Sequence, residues 1–362
     1  MDFNNNYDFP VTSAFTQDEM QEKFWKCLYT SSDKNMLHYW VILPKRVKPA
    51  ELTPINFPDV GLTNIGRYIT ADSSPYLEVW AAYERCPWEM NAADWLFKKL
   101  SIMGEKVLHQ RIINNPAGSG TFADVLTIKT HASGDEVVSR YTVQKDYNPV
   151  EGGGNYFLLK ASVASHDYSE LANDIHFIVV NWDLLHRSNL ALAELLTTVP
   201  LSNDMTSSFK IPASWQAKTI ANNRLVIEHT INDINYGVIN LYLYAKSSSP
   251  TPEDVYKKST ARFQENNNSV SLVANEIEPI PNDINASLGE ELYTCTGEIF
   301  SAEENMRALY QMYIFSCTDL WCYVELVGQH KNNKNYHFEV NKRCMEILLT
   351  TFHMVRSVKS GL

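Results

Sequence analysis

Positive charge is scarce in this chain. Its 31 Lys and Arg face 42 Asp and Glu, a formal net charge of −11. No basic stripe stands ready to neutralise phosphates, which argues against a nucleic-acid partner and equally against adsorption to anionic membrane. Long apolar runs are missing too. Stretches such as Phe177–Val180 fall far short of the ~20 residues that span a bilayer, so direct membrane insertion is not expected. The opening MDFNNNYDFPVTSAF carries acidic and amide residues where a signal peptide needs basic ones, and it lacks an apolar core. Six cysteines (Cys27, Cys86, Cys295, Cys317, Cys322 and Cys344) are scattered without a Cys-x-x-Cys pair. Buried free thiols in a reducing cytoplasm are the expected state.

Catalytic signatures are equally sparse. Gly118-Ser119-Gly120 lacks the Gly-x-Ser-x-Gly spacing of a nucleophile elbow and reads as a turn. Gly152–Gly154 is not followed by a helix carrying Lys-Ser/Thr, so it is no P-loop. Dispersed histidines, among them His131, His166, His176, His186, His229, His330, His337 and His353, form no His-Glu-x-x-His. Cys317 and Cys322, on either side of a hairpin turn, offer at most half of a zinc site. Asp94, Asp124, Glu276 and Glu298 can act as acid and base only if folding brings two of them together. No cofactor, metal or catalytic residue is assigned, and the expected role is non-enzymatic.

What the chain does have is repetition. With 44% hydrophobic and 20% charged residues over 362 positions, it has the composition of a globular protein long enough for two domains. At an offset of roughly 160 residues the same order of signals recurs. Leu43–Pro44 and Ile211–Pro212 both close strand-like stretches. The strand Tyr76–Tyr83 is followed by a capped amphipathic helix from Asn91, and Val238–Ala245 by one that Thr251 caps with Pro252 in its first turn. Tyr156–Val163 and Trp321–Gly328 each precede a long helix, Tyr168–Trp182 and Phe338–Val355. Between them, 107–113, 122–130 and 136–145 read as antiparallel strands in the first half, and 270–276, 292–300 and 308–316 in the second. Gln17–Tyr29 and Asn189–Leu196 read as further helices. The expected division is an N-terminal arm and helix over 1–36, a domain over 37–197, a linker over 198–208 rich in Ser, Asn, Asp and Pro, and a second domain over 209–362.

Alternation along the strands separates an aliphatic from an aromatic side. Ile239, Leu241 and Leu243 oppose Asn240, Tyr242 and Tyr244. Cys322, Val324 and Leu326 oppose Trp321, Tyr323 and Glu325. Tyr310, Met312 and Ile314 oppose Leu309, Gln311, Tyr313 and Phe315, and Leu77, Val79 and Ala81 oppose Tyr76, Glu78, Trp80 and Ala82. The long helices suit the aliphatic side. The aromatic side either meets a partner or is covered by the chain's own short helices or its other half.

The segments LPKRVKP, NAADWLFKKLSIMGEKVLHQRI, FADVLTI and NYFLLKASVAS in the first half resemble the Mog1/PsbP-like α/β/α sandwich. So do FKIPASWQ, TPEDVYKKSTARFQ, RALYQMYIF and LWCYVELVG in the second. The nearest likeness is to DcrB-type cytoplasmic proteins, which include the Eag chaperones of bacterial type VI secretion effectors. The likeness covers about 37–185 and 209–356, and no catalytic residue travels with it. It implies an α+β fold of two tandem Mog1/PsbP-like sandwiches, each an antiparallel sheet with packed helices. It also implies a cytoplasmic adaptor or chaperone that shields an apolar helix of a secreted effector or secretion-apparatus component. On that reading Trp80, Tyr242, Tyr244, Tyr313, Phe315, Trp321 and Tyr323 are hydrophobic anchors for the partner. The alternative is a structural subunit of a larger secretion or phage-like assembly.

Overall fold

The computed structural model describes residues 7–30, 33–52, 60–71, 75–114, 120–201, 207–265, 270–281, 288, 291–301, 306–317, 319–330 and 335–354. The asparagine runs at 4–6, 266–268 and 332–333, the prolines at 54 and 58, the Gly118-Ser119 pair, residue 318 of the hairpin turn and 202–206 of the expected linker lie outside them.

The chain forms two compact units, Met1–Ala193 and Glu194–Leu362. In the first, α1 (Gln17–Lys23), β1 (Phe24–Tyr29), β2 (Tyr39–Pro44), β3 (Val47–Pro49), β4 (Thr63–Thr70) and β5 (Leu77–Cys86) precede α2 (Ala92–Ile102). Then β6 (Lys106–Asn114), β7 (Thr121–Thr130), β8 (Glu136–Tyr147) and β9 (Gly154–Ala164) lead to α3 (Tyr168–Val180) and β10 (Trp182–Leu184). The second unit runs β11 (Leu196–Pro200), β12 (Ser207–Pro212), β13 (Gln216–Ala221), β14 (Arg224–Ile231) and β15 (Ile234–Ala245) into α4 (Pro252–Glu265). It continues with β16 (Val270–Ala274), β17 (Glu278–Pro279), β18 (Leu292–Ser301), β19 (Met306–Cys317) and β20 (Leu320–Gln329), and ends with α5 (His337–Thr351) and β21 (His353–Met354).

The first unit orders its large sheet β3-β4-β5-β9-β8-β7-β6 and its small one β1-β2-β10. The second orders β13-β14-β15-β20-β19-β18-β16 and β11-β12-β21, with β17 added on β18. Strand for strand the two orders are the same, so the repeated signals in the sequence are a duplicated topology. The described pairings are antiparallel throughout, and the class is α+β.

Three segments depart from the sequence expectation. The helix expected over Gln17–Tyr29 stops at Lys23. Its start is held by a capping box between Thr16 and Glu19, but Phe24–Tyr29 continues as β1 against β2. A three-stranded sheet that buries Phe24 and Cys27 outweighs the local helical spacing. The helix expected over Asn189–Leu196 is irregular backbone running into β11. The segment expected to link the domains is instead bounded by strands, with Val199 and Phe209 paired across β11 and β12. Cap chemistry is mixed as well. Thr251 and Asp254 close the reciprocal cap at the start of α4. Asn91 makes no cap bond to α2; its amide donates to Asp94 and its carbonyl accepts from the Thr121 backbone on β7.

Each large sheet carries helices on both faces. α3 places Leu171, Ile175, Ile178 and Val179 in one core with Leu77, Val79, Ala161 and Val163 of the large sheet and Tyr39, Val41 and Leu43 of β2. α2 lies on the opposite face, where Trp95 meets Tyr156 at 5.6 Å. In the second unit α5 lies close to the sheet because Gly237 and Gly328 are cross-strand partners. A Cβ on either would sit 2.4 Å from the Asn341 side chain, which instead reaches through to donate to the Tyr236 carbonyl at 2.9 Å. α4 covers the other face, in one core with Tyr310, Met312, Ile314, Trp321 and Tyr323. No described helix is long and apolar enough to cross a membrane.

Candidate functional site

The seven expected anchors do not share a face. Register places Tyr242 opposite Tyr323, Tyr244 opposite Trp321, and Tyr323 opposite Ile314. Cross-strand partners point to the same side of a sheet, so Trp321 and Tyr323 lie with Tyr310, Met312 and Ile314, beneath α4. Tyr323 is fully buried and Trp321 is 3% exposed. Tyr244 is half-buried and accepts a hydrogen bond from Ser259 of α4 at 2.9 Å, and Tyr242 stacks beside it under the Arg224 guanidinium. Tyr313 and Phe315 occupy the other side. Phe315 is buried edge-on against Phe352 at 4.9 Å, and Tyr313 is half-buried. Trp80 is half-buried on the α2 side of the first unit.

Phe315, Trp321 and Tyr323 are therefore core residues, and the place expected for a guest helix on the aromatic face is taken by α4. A polar chain runs beneath it. Tyr310 and Tyr323 hydroxyls meet at 2.7 Å, Tyr323 donates to Glu325 at 2.7 Å, and Asn240 donates to the same carboxylate at 2.9 Å. Burial first, and the Glu325 charge second, push both phenols above their ordinary pKa, which keeps them as neutral donors. Such a satisfied buried network specifies packing.

Outside these cores the two units differ in how one side of the large sheet is covered. In the first, the arm before α1 lies across the α3 side of β6, β7 and β8. Phe9 stacks on His109 at 5.6 Å and under the Arg140 guanidinium at 4.2 Å, and Tyr7 meets Tyr168 edge-on at 5.7 Å. Its carbonyls are accepted into the fold: Arg140 donates to Pro10 at 2.7 Å, Arg111 to Val11 at 3.4 Å and Tyr168 to Asp8 at 2.6 Å. Asp124 holds both guanidiniums, at 2.7 Å from Arg140 and 3.2 Å from Arg111. The arm ends in Phe15, packed on Phe24 and Phe177.

The corresponding side of the second unit is formed by β16, β18 and β19. Register puts Val273 beside Glu298 and Glu298 beside Leu309, on the side that Phe315 shares with α5. Among the described residues no arm crosses it. Val273 is 71% exposed and Phe300 37%, next to Arg307 and the Glu298–His330 pair at 3.2 Å. β16 also ends the sheet, its outer edge unpaired among the described residues. Strands over 270–276 and 292–300 were expected from the sequence, but exposure of one of their sides was not.

A further concavity is on the α2 side of the first unit. A cavity of ≈ 100 Å³ is lined by Trp80, Glu105, Lys129, Tyr141, Leu158 and Lys160, among others. Of the carboxylates that could have formed an acid–base pair, Asp124 is committed to arginines, Asp94 to Asn91, and Glu298 to His330 and Arg307. Among the described residues no group of His, Cys, Asp or Glu is arranged to hold a metal ion.

No protein-family model matches the chain, and no curated protein sequence does. Among solved structures it is similar to the solution structure of cyanobacterial PsbP (CyanoP) from Synechocystis sp. PCC 6803. That likeness has 12% identity over 48% of this chain and 99% of that one, with a TM-score of 0.33. It is also similar to a crystal structure from Bacteroides thetaiotaomicron VPI-5482, with 11% identity, 45% of this chain, 49% of that one and a TM-score of 0.26. The chain thus spans about half the length of the Bacteroides protein.

Proposed function

We propose that this protein is a polypeptide-binding adaptor that works by holding a partner and performs no chemistry of its own. The observation that carries the reading is the contrast between the two units. The first closes the β6–β8 side of its sheet with an aromatic arm of its own chain, and the equivalent side of the second presents Val273 and Phe300 to solvent. The first unit thereby supplies the template for the occupant: an extended segment with aromatic side chains, its carbonyls taking hydrogen bonds from the sheet. An unpaired edge such as β16 adds main-chain bonding to that contact. The adaptor grips an extended strand-like segment there, and α4 already holds the place of an apolar helix.

In its finer form the partner is a secreted effector or a component of a bacterial secretion apparatus, held in the cytoplasm. The resemblance to Eag-type chaperones supports that choice. A photo-crosslinking amino acid at Val273 or Phe300, introduced in the source cells, is expected to yield one dominant polypeptide adduct. The same probe at Val150, 78% exposed in a loop of the first unit, is expected to yield none. Equal labelling at all three positions, or no adduct at Val273 and Phe300, overturns the reading.

A further inference from the structure

Lys160 stands in the middle of β9 on the α2 side, cross-strand to Trp80 on β5 and to Tyr141 on β8. Its ammonium lies 5.1 Å from the Trp80 ring centre and 5.5 Å from that of Tyr141. Glu105 is 3.8 Å away, beyond hydrogen-bond length. That carboxylate is occupied elsewhere, accepting from Thr127 at 2.6 Å and from Tyr141 at 2.9 Å. Trp80 Nε1 is buried and has no hydrogen-bond partner among the described residues. Trp80 Nε1 thus lacks an acceptor, which is costly for a buried donor, and Lys160, 17% exposed, has Glu105 as counter-charge without a close hydrogen bond.

The charges around the cavity sum to an excess of one cation. Lys160 and Lys129 face Glu105, while Glu78 is paired with Arg67 at 2.7 Å. Leu62, Ala82, Val137 and Leu158 supply the aliphatic part of the wall, and Met103, His131 and Ser139 complete the lining. The volume of ≈ 100 Å³ is smaller than the ~150 Å³ that encloses benzene in an engineered cavity, so it suits a molecule of about four to six heavy atoms.

We propose that this cavity binds a short-chain monocarboxylate, its carboxylate on Lys160 and Trp80 Nε1 and its alkyl end on Leu62, Ala82 and Leu158. An anion there restores the solvation that burial removes from Lys160. Burial, opposed by Glu105 and Glu78, lowers the pKa of that ammonium, and a bound carboxylate favours its charged form. Inorganic phosphate fits less well, because it has no alkyl end to place on Leu62, Ala82, Val137 and Leu158.

The test is a calorimetric and NMR titration of the full chain with sodium propionate, with propionamide and phosphate as controls at matched ionic strength. Propionate is expected to bind saturably and to shift residues around the cavity. A charge-assisted hydrogen bond is worth about 1.5–3 kcal/mol, roughly 10–100-fold in affinity, so propionamide and the Lys160→Met variant should bind weaker by that factor. Trp80→Phe keeps the ring and removes only the donor, and it should weaken propionate by a few-fold while leaving the fold intact. It keeps the test decisive even if Lys160→Met fails to fold. Absence of saturable binding, equal response to propionate and propionamide, or unchanged affinity in Trp80→Phe and Lys160→Met overturns the proposal.

Discussion

Replacing Asp124 by Asn is the sharpest test of how the first unit holds its arm. Asp124 and Arg140 are both wholly buried, joined by two hydrogen bonds of 2.8 and 2.7 Å. The substitution keeps the shape and removes the charge, leaving a buried guanidinium without its counter-ion. Breaking such a pair from one side costs about 3–5 kcal/mol. A unit of this size shifts by about 2–4 °C per kcal/mol, so its transition should fall by roughly 6–20 °C. The arm should loosen first, because Arg140 also holds the Pro10 carbonyl and lies over Phe9. Hydrogen exchange and limited proteolysis would report faster exchange and cleavage over 7–12, and calorimetry should show the second unit unchanged. The double variant Asp124→Leu with Arg140→Met removes both charges and should lose less than either single change alone. A single-variant cost under about 1 kcal/mol, or a double-variant loss equal to the sum of the singles, would refute the reasoning.

Other outcomes follow from particular contacts. Gly328→Ala or Gly237→Ala drives a methyl into Asn341 and should destabilise the second unit by about 1–3 kcal/mol, read as a lower urea midpoint; a neutral change would mean α5 can shift at no cost. Burial, with His337 next, holds His229 down to about 4, and burial, with Arg140 next, does the same for His176. Unfolded imidazoles protonate near 6.5. The stability these neutral rings contribute is complete above that pH and is lost as pH falls towards 4, up to about 3 kcal/mol from each. His229→Phe should flatten the acid limb of the second unit's stability curve alone; an unchanged limb would refute the assignment. The crosslinks at Val273 and Phe300 and the propionate titration address separate surfaces, so either can fail without the other.

Much of the fold was legible because it is local. Thr251 and Pro252 announce the start of α4, and the 3.6-residue spacing of Leu171, Ile175 and Ile178 announces α3. The candidate surfaces were less legible. Alternation within β19 separates Tyr310 from Tyr313 correctly, yet it cannot say which of them joins Tyr323, because that depends on the register with β20. No signal in the sequence singles out Lys160; strand register alone sets it between Trp80 and Tyr141. Phe24–Tyr29 matched a helical face by spacing, and only the presence of β2 beside it made it a strand.

The α+β class was what the family resemblance implied; from composition, periodicity and repetition alone came the antiparallel strands and the helices that follow them, the duplication, and the shortage of basic charge and catalytic motifs. Those properties are carried by neighbours in the chain, where side-chain period and backbone preference act over a few residues. The fate of each face was decided by tertiary structure. Register aligns residues some eighty positions apart, as in Tyr242 with Tyr323, and helix docking then buries some aromatics, while among the described residues no arm covers the second unit's exposed Val273 and Phe300. Burial is a property of what lies opposite, and no single stretch of sequence contains its own partner.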